Sequence, residues 1–312
     1  MSAPRIAVIL PCLDEAAAIA GVVADFQKAL PGAAVYVYDN GSTDRTAEVG
    51  AGAGAIVRSE PMRGKGNAMA RAFADVDADI YVLADGDGTY EAADAPAMVE
   101  RLRRDGLDMV VGVRAAAPGA AYRPGHRFGN KLFSSAFRSF FDAQFTDILS
   151  GYRVFSRRFV KTFPLRAKGF EIELEISAHT ALLRIPFAEM ETRYGERTKG
   201  GESKLNTLRD GYLILRRMLR FLRLHRPRFL FSILSILTIG VSIIVFIPVF
   251  VEYLRTGLVP RFPTLIVSVG LFVAGVVSYV AGILLDAQAQ YFAETKRLAY
   301  LQMKPPPRFD EE

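Results

Sequence analysis

The sequence predicts an α/β protein: a mostly parallel sheet, then an amphipathic membrane-surface helix, then two transmembrane helices. Three observations carry this. Five short apolar runs alternate with helix-compatible segments over residues 5–113, the pattern of a parallel sheet with helices on both faces. Polar, glycine-rich or charged residues follow each of those runs. From residue 229 onward apolar residues dominate, in two runs each longer than the roughly 20 residues needed to cross a bilayer core.

The predicted strands are "RIAVIL" (5–10), "AVYVYD" (34–39), "AIVRS" (55–59), "DIYVLAD" (79–85) and "DMVVGV" (108–113). Helices are expected between them at about 15–29, 43–52, 65–75 and 94–105. In such sheets ligands bind outside the carboxyl ends of the strands. The five ends deliver "PCLDE", "DNGSTD", "RGKGN", "DGDGT" and Arg114 to one edge. Ordinary turns do not gather charge from five separate connections, so this edge is the expected site.

The chemistry of these turns is specific. Asp39 ends a strand, where a carboxylate accepts hydrogen bonds from a ribose or a base. Ser42 or Thr43 suits a helix cap, and Asp44 reads equally as cap or ligand. Arg63 and Lys65 lie among glycines that allow close approach of a diphosphate. Asp85 and Asp87, one residue apart, cannot both stay ionised without a counter-charge. Mg2+ or Mn2+ supplies one, since these ions take one or two carboxylates plus substrate phosphates. No GxxxxGK[ST] motif is present, which disfavours a P-loop phosphotransferase, and no GxGxxG follows the first strand, which disfavours a nicotinamide site.

The apolar runs at 229–254 and 264–285 are expected to form a hairpin through a membrane, with Pro248 tolerated inside the first. The net charge of +6 is concentrated before it: residues 209–228 hold seven arginines. On a helical wheel Arg209, Arg216, Arg220 and Arg223 share one face and Leu215, Met218, Leu219 and Leu222 the opposite one, as in a helix lying on an anionic membrane surface. The two spans account for the basic stripe, so nucleic-acid binding is not expected. Positive-inside bias puts both flanks in the cytosol and the short "RTGLVPRFP" loop outside. The N-terminus lacks the pattern of a signal peptide. The one cysteine, Cys12, permits no intrachain disulfide, suits a reducing compartment and reads as a small buried residue. The first 200 or so residues are therefore expected on the cytosolic face of the membrane.

Eight motifs, "PCLDE", "DNGSTDRT", "RGKGNAM", "DGDGTY", "VVGVR", "DILSGYRVFSRR", "GFEIELEI" and "RYGERTKGGESKLN", together resemble the family 2 glycosyltransferases of GT-A fold. The chain is most similar to their polyprenyl-phosphate hexose synthases, of the dolichol-phosphate mannose and bactoprenol-phosphate glucose types. The resemblance covers about residues 6–206 and implies a GT-A domain over 1–206, a juxtamembrane helix over 207–228, a hairpin over 229–285 and a cytosolic tail over 286–312.

The resemblance also implies direct inverting transfer of one hexose from a nucleotide sugar to a lipid phosphate. UDP-glucose is the favoured donor, because the two spans match the bactoprenol branch, and GDP-mannose the second. The nucleotide sugar is expected at Pro11, Leu13, Glu15, Asp39, Ser42, Asp44, Lys65 and Asp85. The metal is expected at Asp85 and Asp87, with Thr89 where relatives have a third ligand, and catalytic roles at Asp85, Asp87 and Arg114. The acceptor phosphate is expected at Arg127, Ser134, Arg197 and Lys204, with Arg114 a further candidate. Relatives with this hairpin imply a homo-oligomer, a tetramer.

Two rivals share features of the chain. A processive polysaccharide synthase carries QxxRW, whereas this sequence has no tryptophan. A catalytically silent scaffold that binds a nucleotide sugar would have lost the acidic pair, which is intact.

Overall fold

The computed structural model describes residues 4–116, 145–165, 169, 172–195, 223 and 226–307. Its sheet begins with β1 (Ile6–Cys12), whose run IAVILPC is buried over six of seven positions. A strand apolar on both faces belongs in the middle of a covered sheet. Accordingly β1 pairs in parallel with β2 (Ala34–Asp39) on one side and β4 (Ile80–Leu83) on the other. β3 (Ile56–Ser59) extends the β2 side and is the more exposed edge.

Beyond β4 the order is β6 (Arg153–Ser156), β5 (Met109–Ala116) and β7 (Phe187–Tyr194), giving the seven-stranded order β3-β2-β1-β4-β6-β5-β7. β6 is antiparallel to both neighbours, and β7 is parallel to β5. Two reversals cancel, so β5 and β7 run in the same sense as β1–β4. Six strands thus end on one edge, and β6 alone runs against them. The expected mostly parallel sheet is present, with two strands added: β6 from a stretch read only as a motif, and β7 from one lying almost wholly outside the motifs.

The helices follow their apolar spacing. α1 (Ile19–Ala29) buries Ile19, Val22, Val23 and Phe26, the i, i+3, i+4, i+7 stripe of a core-facing helix. Each such side chain contributes roughly 1.5–3 kcal/mol on full burial. α2 (Thr46–Gly52) and α3 (Lys65–Asp75) cover the same half of the sheet. α4 (Ala95–Arg104) starts with Pro96 in its first turn, where a missing N–H costs little, and ends on Arg101, Arg103 and Arg104, which match the negative end of the dipole. α5 (Arg157–Thr162) is capped by Ser156, whose Oγ accepts from the Phe159 amide. α6 (Ile172–Leu183) is buried over most of its length.

The chain divides into two compact units, Met1–Ser203 with Lys296–Glu312, and Lys204–Thr295. In the second unit, α7 (Pro227–Thr256) ends at Gly257 in the left-handed conformation that stops helices. The first 34 residues of α8 (Phe262–Gln302) follow it. Both helices are long and apolar enough to cross a membrane. They meet along a seam of small residues at seven-residue spacing. Ser235, Ser242 and Val249 of α7 are buried, and Ser242 Oγ donates to the Ser268 carbonyl at 2.7 Å. A Cβ on Gly275 or Gly282 would lie 2.5 or 2.7 Å from Ile239 or Phe231. Small residues let two backbones approach without a hydrophobic driving force, as helices in lipid require, and the period of seven suits a left-handed crossing. Large apolar side chains such as Ile236, Leu237, Ile244 and Val277 stay exposed on the outer faces.

The end of α8 belongs to the first unit. There Tyr300 is 4% exposed and donates to Asp108 Oδ2 at 2.5 Å. Arg158 stacks over its ring at 4.3 Å and pairs with the same carboxylate. Arg297 donates to the Leu183 carbonyl.

Candidate active site at the carboxyl edge of the sheet

After β1 the chain turns through Leu13, Asp14 and Glu15, with Asp14 at φ 56. That left-handed turn is held by a two-way stitch to the loop after β2. Asp14 Oδ1 accepts from the amide and hydroxyl of Thr43 at 2.6 and 3.0 Å, and its own amide donates to Ser42 Oγ at 3.0 Å. Glu15 N–H donates to Thr46 Oγ1 at 2.8 Å, and Ala16 N–H to Asp44 Oδ2 at 3.0 Å. Hydrogen bonds from Thr43 hold the Asp14 carboxyl below its usual range. For Asp44 burial acts upward, but the Thr46 and Ala16 donors outweigh it and lower its pKa. Ser42 and Asp44, expected on the nucleotide sugar, thus brace the first two turns. Asp39, 9% exposed, accepts from the Ser42 amide at 3.3 Å.

Asn40 escaped the sequence reading. Its Nδ2 donates to the carbonyls of Glu60 and Met62, and its Oδ1 accepts from the Gly64 amide at 2.5 Å. One side chain therefore shapes the turn that leads into Lys65. Pro11 stays in β1, opposite Tyr38, and Leu13 is 43% exposed at the edge.

The "DGDGT" turn leaves β4 at the centre of the sheet. Gly86 cannot be another residue, because a Cβ there would sit 2.3 Å from Cys12 Sγ. Burial first, then the charges of Glu15, Asp85, Asp39 and Asp87, push the Cys12 thiol well above its ordinary value. Cys12 is thus an inert core residue, and four of the predicted carboxylates gather around it. Asp85 Oδ1 accepts from Lys65 Nζ at 2.5 Å, and Lys65 reaches Glu173 Oε1 at 2.6 Å. Burial alone would lower the Lys65 pKa, but the two carboxylates outweigh it and raise it. A Cβ on Gly151 would lie 2.9 Å from Asp85 Oδ2, so the chain after the Asp147 loop closes directly on this carboxylate. Tyr90 Oη accepts from the Gly151 amide at 2.9 Å and fixes that approach.

Asp87 Oδ1 accepts from the amide and hydroxyl of Thr89 at 3.1 and 2.7 Å. Thr89 is 4% exposed and orients Asp87 from below, whereas Asp85 and Asp87 themselves are part-exposed. Among the described residues no three His, Cys, Asp or Glu side chains form a closed metal cage. Two part-exposed carboxylates at one turn do fit an octahedral Mg2+ or Mn2+ that completes its shell with water and a diphosphate.

Arg114 ends up paired. Its Nε and Nη2 grip Asp147 at 2.7 and 2.8 Å, and its guanidinium stands 5.6 Å from the Tyr194 ring centroid. Asp147, 4% exposed, lies in the "DILSGYR" motif but was not singled out. In the same motif Arg153 is wholly buried and donates to the carbonyls of Ile148, Ser150 and Glu173 and to Ser177 Oγ. Burial lowers its pKa to about 10. It ties the Asp147 loop to α6, which carries Glu173. The remaining acceptor candidates, Arg127, Ser134, Arg197 and Lys204, and all but the end of the 207–228 segment lie outside the described residues.

Comparisons with known proteins bear on this edge. Residues 7–163 match the family described as Glycosyl transferase family 2. The chain is 54% identical over 124 residues to Protein RfbJ of Shigella flexneri, covering 39% of this chain and 96% of that one. It is 37% identical to Glycosyltransferase AglJ of Haloferax volcanii, over 73% of this chain and 75% of that one. It is 29% identical to the dolichyl-phosphate hexose transferase of the same organism, over 67% and 90%. Among solved structures, glucosyl-3-phosphoglycerate synthase of Mycobacterium tuberculosis superposes with a TM-score of 0.57 at 23% identity, covering 70% of this chain and 79% of that one. Its complex with UDP gives 0.52 at 25% identity, over 64% and 74%.

Proposed function

We propose, from the premise that the chain belongs to glycosyl transferase family 2, that it transfers one hexose from a nucleotide sugar to a membrane polyprenyl phosphate. The observation that carries this reading is the part-exposed Asp85–Asp87 pair at the central strand end, gathered with Asp39 and Glu15 around β1. UDP-glucose is the favoured donor and GDP-mannose the alternative. A uridine donor is supported by the UDP bound to the solved synthase. The lipid acceptor is supported by the dolichyl-phosphate hexose transferase relative and by α7 and α8. The assembly is read as a homo-oligomer with its catalytic edge on the cytosolic face.

In this reading Asp85 and Asp87 would hold a divalent cation, which would supply charge neutralisation for a leaving diphosphate. Asp39 and the Leu13–Glu15 turn receive the nucleoside. The acceptor phosphate is already anionic near neutral pH, so no side chain has to deprotonate it. The protein's contribution is then positioning and charge stabilisation. The deciding experiment incubates the purified full chain with polyprenyl phosphate and a panel of UDP- and GDP-sugars, and weighs the lipid product. A polyprenyl-phosphate hexose is expected, from UDP-glucose first. Absence of any glycosylated lipid with every donor, while donors are hydrolysed or bound, overturns the acceptor assignment.

The acceptor side has its own test. Arg197, in "RYGERTKGGESKLN", is proposed to hold the acceptor phosphate. Arg197→Ala leaves calorimetric donor binding unchanged and lowers transfer about tenfold to several hundredfold, for a lost charge-assisted contact of about 1.5–3 kcal/mol. Lysine restores only part, since it lacks the planar fork. Equal loss of donor binding and transfer moves Arg197 to the donor site.

A further inference from the structure

Lys65 was expected to face a diphosphate, yet its ammonium is clasped between two carboxylates from distant parts of the chain. Asp85 Oδ1 lies 2.5 Å away and Glu173 Oε1 2.6 Å away, and the Lys65 and Glu173 side chains are 8% and 6% exposed. Glu173 is itself held in place: its carbonyl accepts from Arg153 Nη2 at 3.3 Å and from Ser177 Oγ at 2.9 Å. The three charged groups sum to one negative charge, and one cation is shared by two anions. Whatever competes with Asp85 for Lys65 decides how much negative charge Asp85 offers a ligand.

We infer that Glu173 is a positioning residue for the donor site, drawing Lys65 off Asp85 so that Asp85 can hold a divalent cation. This rests on the metal-dependent reading above and deepens it. When a cation arrives at Asp85, the Lys65 ammonium needs another anion, or it stays beside the incoming charge. Glu173, on α6, is already within hydrogen-bond distance. The clasp thus offsets part of the Asp85 charge without a ligand and frees the carboxylate for one.

The sign of each substitution follows. Glu173→Gln keeps the shape of the side chain and removes its charge, so Lys65 settles on Asp85 and Mn2+ binding weakens by about tenfold or more. Lys65→Met removes the competing cation, so Mn2+ binding tightens several-fold. The double variant binds Mn2+ within about threefold of Lys65→Met alone, because removing Lys65 leaves Glu173 little to act through. Glu173→Asp keeps the charge and recovers most of the affinity.

The test titrates Mn2+ into purified full-length protein in detergent and reads free Mn2+ by electron paramagnetic resonance, with and without UDP, alongside a thermal melt. A merely structural Glu173 lowers the melting temperature and leaves the affinity of the folded protein unchanged. Affinity of Glu173→Gln within twofold of the parent, or a double variant as weak as Glu173→Gln alone, overturns the inference. A parent protein that binds no Mn2+ even with UDP overturns the metal reading itself, which separates the two failures.

Discussion

Asp87→Asn is expected to lower hexosyl transfer by about three orders of magnitude while leaving the fold intact. The reasoning separates two jobs of one side chain. Asp87 Oδ1 accepts from Thr89 N–H and Oγ1, and an asparagine carbonyl oxygen accepts the same two bonds. The turn therefore keeps its geometry. What is lost is a unit negative charge beside Asp85, half of the proposed cation site. Loss of about 4 kcal/mol of transition-state stabilisation corresponds to about a thousandfold in rate, within the range seen when charge stabilisation at a leaving group is removed. EDTA produces the same loss on the unaltered protein, and excess Mg2+ or Mn2+ reverses it. The measurement is lipid-product formation with circular dichroism on the same sample. Full activity in EDTA defeats the metal assignment, and an unfolded Asp87→Asn defeats the separation of the two jobs.

The parts of this site that were legible in the sequence are those fixed locally. The apolar runs of β1, β2 and β4 announce central strands, because β1 and β4 are buried on both faces and β2 on one. α3 starts at Lys65 and ends at Asp75 as expected, since glycine precedes it and its apolar residues keep helical spacing. β6 was hidden because it is four residues long and carries Arg153, whose charge argues for a surface position until its five acceptors are in view. β7 reads FAEMETRY, too polar to announce a strand, and forms one by pairing with β5 over eight residues. The helix of residues 286–302 was hidden behind the end of the apolar run, although its Ala, Gln, Glu, Lys and Leu residues favour helix.

The side-chain partners were less legible than the elements. Lys65 and Glu173 are 108 residues apart, and Arg114 and Asp147 are 33 apart. A single sequence shows that a lysine and an arginine reach the edge, but not which carboxylates meet them there. For that reason Lys65 and Arg114 read as ligands for phosphate, whereas the structure gives both a protein partner. Asp44, balanced between cap and ligand, is now seen bridging two turns. Its proposed contact with a nucleotide sugar would have to coexist with both bonds.

Asp108→Asn is expected to destabilise the protein by about 3–5 kcal/mol, although it lies in no proposed ligand contact. Asp108 is fully buried. Its Oδ1 accepts from Ser156 Oγ at 2.5 Å and Arg158 Nε at 3.1 Å, and its Oδ2 from Arg158 Nη2 and Tyr300 Oη, each at 2.5 Å. Each oxygen faces an Arg158 N–H, which can only donate, so an asparagine must aim its N–H2 at one of them whichever way it is turned. It also leaves the part-buried Arg158 beside a neutral group. Removing one partner of a buried ion pair costs about 3–5 kcal/mol, a large share of a typical total of 5–15 kcal/mol. Tyr300→Phe keeps the ring under Arg158 and loses one bond to a charged acceptor, about 1.5–3 kcal/mol. The two changes share a contact, so the double variant loses less than their sum. Thermal unfolding of the detergent-solubilised full chain reads all three, with Asp108→Asn lowering Tm by roughly 5–15 °C. If Tyr300→Phe is neutral while Asp108→Asn is severe, the carboxylate serves Arg158 and Ser156 alone and Tyr300 is not an anchor. If both are neutral, the buried charge is not compensated as the geometry requires. Strictly additive losses deny the shared contact, and losses short of additive place the end of α8 in the cooperative core of the first unit, joined to Asp108 across 192 residues of chain.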